Sequence, residues 1–344
     1  MTLVGLALVA TGLAGCDGGA DEPAAPKVAP GVARAAGFRV VYRVEDTAGD
    51  APRISTDVVQ VALPWNSLLE RRDGPPPGGA VLLSTVQNQR FTFNTAQGSS
   101  GYATRRIPGL LATAPSTEVL EAAERAGLVE RLGEATVAGE PCTRWAYLGV
   151  TKVLAKGTAE ERVETCVTGD GIPLREAITL RGKPARVAEA VQVDRNPPVT
   201  AETYQTARDP GNEGDRGLLE TEQQVTEEQQ SGKEIVKLAA PEGFRATRQV
   251  TVLRQAGPSS PPISLYVQAF ESGTDLVVTE QVTLGSPPWP AGEGAPVDLG
   301  DEREGRIVYR SGWAEVRVSV GNRSVRVSSA RPSLALAVAG TLRI

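Results

Sequence analysis

Phe38-Arg39-Val40-Val41-Tyr42-Arg43-Val44-Glu45 is the stretch on which the fold turns. Phe38, Val40, Tyr42 and Val44 alternate with Arg39, Val41, Arg43 and Glu45, giving one apolar and one mixed face at the two-residue period of a β-strand. Outward from it the same kind of run recurs at Ile54–Leu63, Val81–Val86, Arg90–Asn94, Cys142–Leu148, Arg162–Val167, Leu174–Leu180 and Arg186–Val193. Turn-forming clusters such as Pro75-Pro76-Pro77-Gly78-Gly79 and Gly169-Asp170-Gly171 separate the runs. Short strands at this spacing predict one large antiparallel sheet rather than parallel crossover units. A single helix interrupts them over Ser116–Leu132. Ser116 or Thr117 can cap it, Glu118 suits its first turn, and Val119, Ala122, Ala123, Ala126 and Val129 fall at helical spacing. Gly127 reads as a weak point inside that helix, costing about 1 kcal/mol relative to Ala.

From Pro198 to Glu234 the chain turns polar, with Asp209-Pro210-Gly211-Asn212 and a Glu/Gln-rich run at Glu220–Gln230. Residues 201–237 therefore read as a polar linker or exposed helix between two domains, 38–200 and 238–344. Strand signals return at Gln249–Arg254, Ser264–Phe270, Asp275–Leu284, Arg306–Tyr309, Ala314–Val320 and Arg323–Ser328, and Gly321-Asn322 suits a hairpin turn. Pro332 to Leu342 closes the chain as a short packed helix with Pro at its start. The expected fold class is α+β, mainly β.

Composition removes several function classes. The 344 residues carry 41 acidic and 36 basic side chains, net −5, so no basic surplus exists to neutralise nucleic-acid phosphates. There is no histidine, which removes Ser-His-Asp and Cys-His sites, the usual zinc sites and the commonest general base. No dinucleotide loop, P-loop or nucleophile elbow appears in its required context. The expectation is a non-enzymatic protein without metal or other cofactor.

Leu3 to Leu13 is an uncharged apolar run, too short for the roughly 20 residues of a membrane span but suited to a signal peptide. Leu13-Ala14-Gly15-Cys16 resembles the bacterial lipobox, although no Lys or Arg precedes the apolar run. The resemblance implies a signal peptide over 1–15 and lipidation of Cys16, with a diacylglycerol thioether and an acyl group such as palmitate on the new amine. It also implies a protein held to the extracytoplasmic face of the cell membrane. Residues 16–37, rich in Gly, Ala, Pro and Asp, read as a flexible tether. Cys142 and Cys166 are an even pair in a chain expected to be exported, each in a strand-like run, and their spacing suits a disulfide worth about 3 kcal/mol.

Taken together, several features resemble the bacterial lipoproteins of the LolA-type superfamily, which includes LppX/LprG carriers and RseB/MucB sensors. The residues that carry this are the lipobox and tether, the opening strand Phe38–Val44 and the helix at Ser116–Leu132. They continue with Thr136-Val137-Ala138-Gly139-Glu140-Pro141-Cys142, Cys166 followed by Gly169-Asp170-Gly171-Ile172-Pro173-Leu174-Arg175-Glu176, and Pro241-Glu242-Gly243-Phe244 opening a smaller domain. The resemblance implies an unclosed antiparallel β-barrel, or curved sheet, with helices on its concave side, plus a smaller α+β C-terminal domain. It implies an apolar groove for a lipid or acylated ligand in carriers, or an envelope protein partner, such as a membrane anti-sigma protein, in sensors. The groove wall would draw on Val40, Tyr42, Val59, Val61, Phe91, Phe93 and Ile178; a filled core would use the same residues.

Overall fold

The computed structural model describes residues 25–49, 51–88, 91–98, 102–105, 115–147, 161–198, 201–204, 219–224, 238–255, 263–282, 293–300, 303–310, 312–320 and 323–342. The first domain holds β1 (Gly37–Asp46), β2 (Arg53–Ala62), β3 (Asn66–Asp73), β4 (Val81–Gln87), β5 (Phe91–Ala96), β6 (Tyr102–Arg105) and α1 (Thr117–Arg125). It continues through β7 (Val129–Val137), β8 (Glu140–Tyr147), β9 (Glu161–Val167), β10 (Pro173–Leu180) and β11 (Lys183–Asp194). These form one antiparallel, unclosed sheet in the order β6-β5-β4-β3-β2-β1-β11-β10-β9-β8-β7, so the chain runs out along one wing, returns, and runs back along the other.

The second domain holds β12 (Leu219–Gln224), β13 (Arg245–Gln255), β14 (Ile263–Ser272), β15 (Asp275–Val282), β16 (Ala295–Asp298), β17 (Glu304–Tyr309), β18 (Ala314–Val320), β19 (Arg323–Ser329) and α2 (Pro332–Gly340). Its sheet has the order β12-β13-β14-β15-β19-β18-β17-β16 and is also open. α2 lies on β18 and β19 and seals a core of Val316, Val318, Val325, Val327, Leu334 and Val338.

Four sequence expectations change. The helix ends at Arg125, seven residues early, and Val129 opens β7. Gly127 is the reason: at φ 71° it takes the left-handed C′ position, its N–H bonds Glu124 O at 2.9 Å, and Leu128 N–H bonds Ala123 O at 2.9 Å. That pair of bonds is a Schellman motif, which ends a helix. Asn66–Asp73 is a strand that its charged half, Glu70-Arg71-Arg72-Asp73, conceals from a search for apolar alternation. Within the stretch expected as polar linker or exposed helix, Leu219–Gln224 is an edge strand paired with β13, and Ala201–Tyr204 is a 3₁₀ turn against β3. Finally, the second half of the expected tether, residues 25–36, is bound along both domains rather than free. Cys16 and the Gly321-Asn322 turn lie outside the described residues.

Candidate functional site

Directly paired residues in an antiparallel sheet share a face, so the register of the first sheet can be read as rows. One row is Val193–Val40–Val59–Leu69–Thr85–Asn94. Beside it run Phe38–Val61–Ser67–Gln87–Thr92 and, on the other side, Ala190–Tyr42–Asp57–Arg71–Leu83–Ala96. Further along come Val44–Ala188–Glu176–Thr165–Trp145 and Arg186–Ile178–Val163–Tyr147. All of these positions belong to one face. α1 packs on it too, because Leu120 and Ala123 meet Trp145 and Val167.

Of the expected wall residues, Val40, Tyr42, Val59, Val61 and Ile178 lie on this face. Positions 91 and 93 do not. The register puts them in the rows of Gln60, Leu68 and Val86 on the opposite face, and Thr92 and Asn94 take the inner positions of β5. Alternation within a strand shows that it has two faces; only strand-to-strand pairing shows which of them neighbours share.

The inner face divides in two. At its apolar end Phe38, Val40, Val44, Val59, Val61, Leu174 and Ala190 pack into one cluster with the disulfide of Cys142 and Cys166, whose Cα atoms are 5.5 Å apart. Val40 and Val61 are wholly buried, so this part of the wall is filled core. Leu69 and Leu83, one and two strands further out, are half-buried, and the apolar surface stops at two hydrogen-bonded pairs. Thr85 Oγ1 donates to Asn94 Oδ1 at 2.9 Å and Ser67 Oγ to Gln87 Oε1 at 3.0 Å.

The other end of the face is charged. Asp57 is buried in the middle of an apolar strand, with 5% of its side chain exposed, and accepts a two-pronged bond from Arg71 at 2.8 and 2.9 Å. Arg186 adds a third bond to Asp57 at 3.1 Å and pairs with Glu176 at 2.7 Å. Two guanidinium groups and three hydrogen bonds replace the water that this buried carboxylate gives up. Tyr42 donates its hydroxyl proton to Pro173 O. Burial first, then the charges of Glu176 and Asp57, push the Tyr42 phenol far above its ordinary range, and burial does the same for Tyr147. Both stay neutral in water. The signal for this cluster was present in sequence: a lone Asp inside Ile54–Leu63 had to find a cation.

No protein-family model matches the sequence, and no curated protein matches it. Solved structures do. The chain is similar to the MucA/MucB complex structure of Pseudomonas aeruginosa at 15% identity, over 89% of this chain and 93% of that one, with a TM-score of 0.32. A crystal structure of MucB is similar at 15% identity over 87% of each chain, with a TM-score of 0.33. A LolA-superfamily protein from Nitrosomonas europaea is similar at 11% identity over 50% of this chain and 91% of that one, with a TM-score of 0.26. At these identities and scores the likeness extends to neither ligand nor partner.

Proposed function

We propose that this chain is a non-catalytic binding protein of the cell envelope, anchored through acylated Cys16 on the extracytoplasmic face, whose first sheet takes up a lipid or an acyl group. The row Val193–Val40–Val59–Leu69 supports this reading, because it leaves the sealed core and reaches the open wing at half-buried Leu69, diagonal to half-buried Leu83 in the neighbouring row. An acyl chain laid there extends the existing core and gains about 0.8 kcal/mol per buried CH₂. The polar pairs Thr85–Asn94 and Ser67–Gln87 bound the strip and leave the headgroup in water. The binding surface thus moves one to two strands outward from the residues expected in sequence. Native mass spectrometry of a Cys16→Ser variant tests it: co-purified lipid, lost on Leu69→Arg, is the expected result. A protein that is always empty and takes up no fluorescent acyl probe would end this reading.

The alternative is a sensor of RseB/MucB type that binds an envelope protein partner, such as a membrane anti-sigma protein. The presence of a second folded domain, joined to the first by specific contacts, favours it. Crosslinking in intact envelopes separates the two, since a sensor yields one stoichiometric protein partner and a carrier yields none.

A further inference from the structure

Residues 25–36 lie across the junction of the two domains and touch both by turns. Glu242 N–H donates to Pro26 O at 3.2 Å, and Val28 packs against the second core. Arg331, at the start of α2, donates to Ala29 O. The chain then crosses to the first domain: Val32 N–H donates to Glu118 Oε1 of α1 at 2.7 Å, Ala35 N–H to Asp170 O at 3.0 Å, and Leu63 N–H to Ala36 O at 2.8 Å.

Beneath the crossing point sits an ionic knot shared by both domains. Arg331, buried, holds Asp275 at 2.6 Å and reaches Glu118 of the other domain at 3.7 Å. Gly31 covers the knot so closely that a Cβ there would come within 2.3 Å of Arg331 Nε and 2.5 Å of Glu118 Oε1. Arg34 lines a cleft at the same junction with Leu63, Pro64, Thr274, Leu276 and Ala330, with room for about one water. Trp65 Nε1 also donates to Glu271 Oε2 across the junction at 2.5 Å, and α1 approaches α2.

We propose that residues 25–36 form a clasp that holds the two sheets in one relative orientation, and that its release lets the domains move as separate bodies. The strap contributes few side chains to either core, so it can detach without unfolding what it joins. Its upstream end leads toward Cys16, so a load on that end acts on the junction first.

Gly31→Val in the full chain tests the clasp, because the added side chain separates Arg331 from Glu118. Hydrogen–deuterium exchange should quicken roughly tenfold or more at Val32, Ala35, Leu63 and Glu242, while amides of Val40 and Val316 keep their protection. Small-angle X-ray scattering should change from one rigid particle to two bodies with variable separation. A particle that stays rigid while the strap amides exchange freely would overturn the proposal. So would loss of protection at Val40 and Val316 along with the strap, since the strap would then be part of the fold. If Gly31→Val does not accumulate, Glu118→Ala, which removes both the acceptor of the Val32 N–H and the partner of Arg331, supplies the same two readouts, and a rigid particle whose strap amides exchange freely is equally decisive against the clasp.

Discussion

The two sheets bury their surfaces in different ways. The second is a sheet with a lid: α2 carries no charge, and its Leu334, Ala335 and Val338 are wholly buried against β18 and β19. The first sheet has eleven strands and, among the described residues, one nine-residue helix, α1, which covers only β7 to β9 near one edge. Among the described residues, the rest of this domain is tied by a disulfide and paired charges. The comparison sets a sheet closed by a packed helix against one held by a disulfide and paired charges.

The largest expected effect tests the lidded half. On the face of the second sheet turned away from α2, Arg306, Arg317 and Arg326 are direct cross-strand neighbours, an arrangement that repels unless carboxylates separate the charges. Glu315 supplies that separation. It bonds Arg317 at 2.9 Å and Trp313 Nε1 at 3.1 Å and lies 3.6 and 3.7 Å from Arg310 and Arg326. Glu315→Ala leaves Arg310, Arg317 and Arg326 to Glu293 and Glu280 alone and should cost the second domain about 3–5 kcal/mol, seen as a lower urea midpoint at unchanged slope. Burial alone would raise this carboxyl, but Arg326 and Arg310 outweigh it and hold it below the usual range. The sign follows: a depressed carboxyl stabilises at neutral pH, and the gain disappears as pH falls through its lowered value. Acid should therefore loosen the second sheet more in the native chain than in Glu315→Gln. An acid transition identical in both would show that the arginine row is held by other groups.

The next effect belongs to the first sheet. Reduction of the Cys142–Cys166 bond, or Cys142→Ser with Cys166→Ser, should remove about 3 kcal/mol, on the chain-entropy estimate for a separation of 24 residues. Because the sulfurs share a cluster with Val40 and Leu174, the loss should also raise uptake of an apolar fluorescent probe by the first domain. The second domain's transition should stay in place. Equal destabilisation of both domains would mean that they unfold as one unit and would blunt the contrast between them.

What could be read in the sequence followed physical locality. Period-2 alternation located β1, β2, β4 and β8 to β11 to within a few residues, because burying one face demands that pattern whatever the neighbours are. The cysteine pair was legible because its strands are consecutive. Features set by distant partners were not. β3 hides because Arg71 and Arg72 are strand residues whose charges are absorbed by Asp57 and Glu70, contacts invisible without the pairing. The strap hides because it is held mostly through backbone groups, which every sequence has. The face of Phe91 and Phe93 hides because it depends on four successive registers, any one of which would reverse it if shifted by a residue.

The smallest effects come as a pair of opposite sign, one in each domain's helix. Gly127 has no atom within 4 Å of where a Cβ would stand, so Gly127→Ala meets no clash. Its cost is purely that of holding Ala at φ 71°, about 1 kcal/mol, and it falls on the Schellman bonds that end α1. Gly340, the last residue of α2, has ordinary helical φ, and its Cβ would make a normal 3.6 Å contact with Leu299 O. Gly340→Ala should therefore stabilise by roughly 0.5 kcal/mol, because the unfolded chain loses freedom and the folded one loses nothing. Thermal melts followed separately in each domain give both numbers. If Gly127→Ala were as mild as Gly340→Ala, α1 would be free to run on toward Val129. The first sheet's cover would then be longer, and its inner face less open, than the left-handed glycine allows.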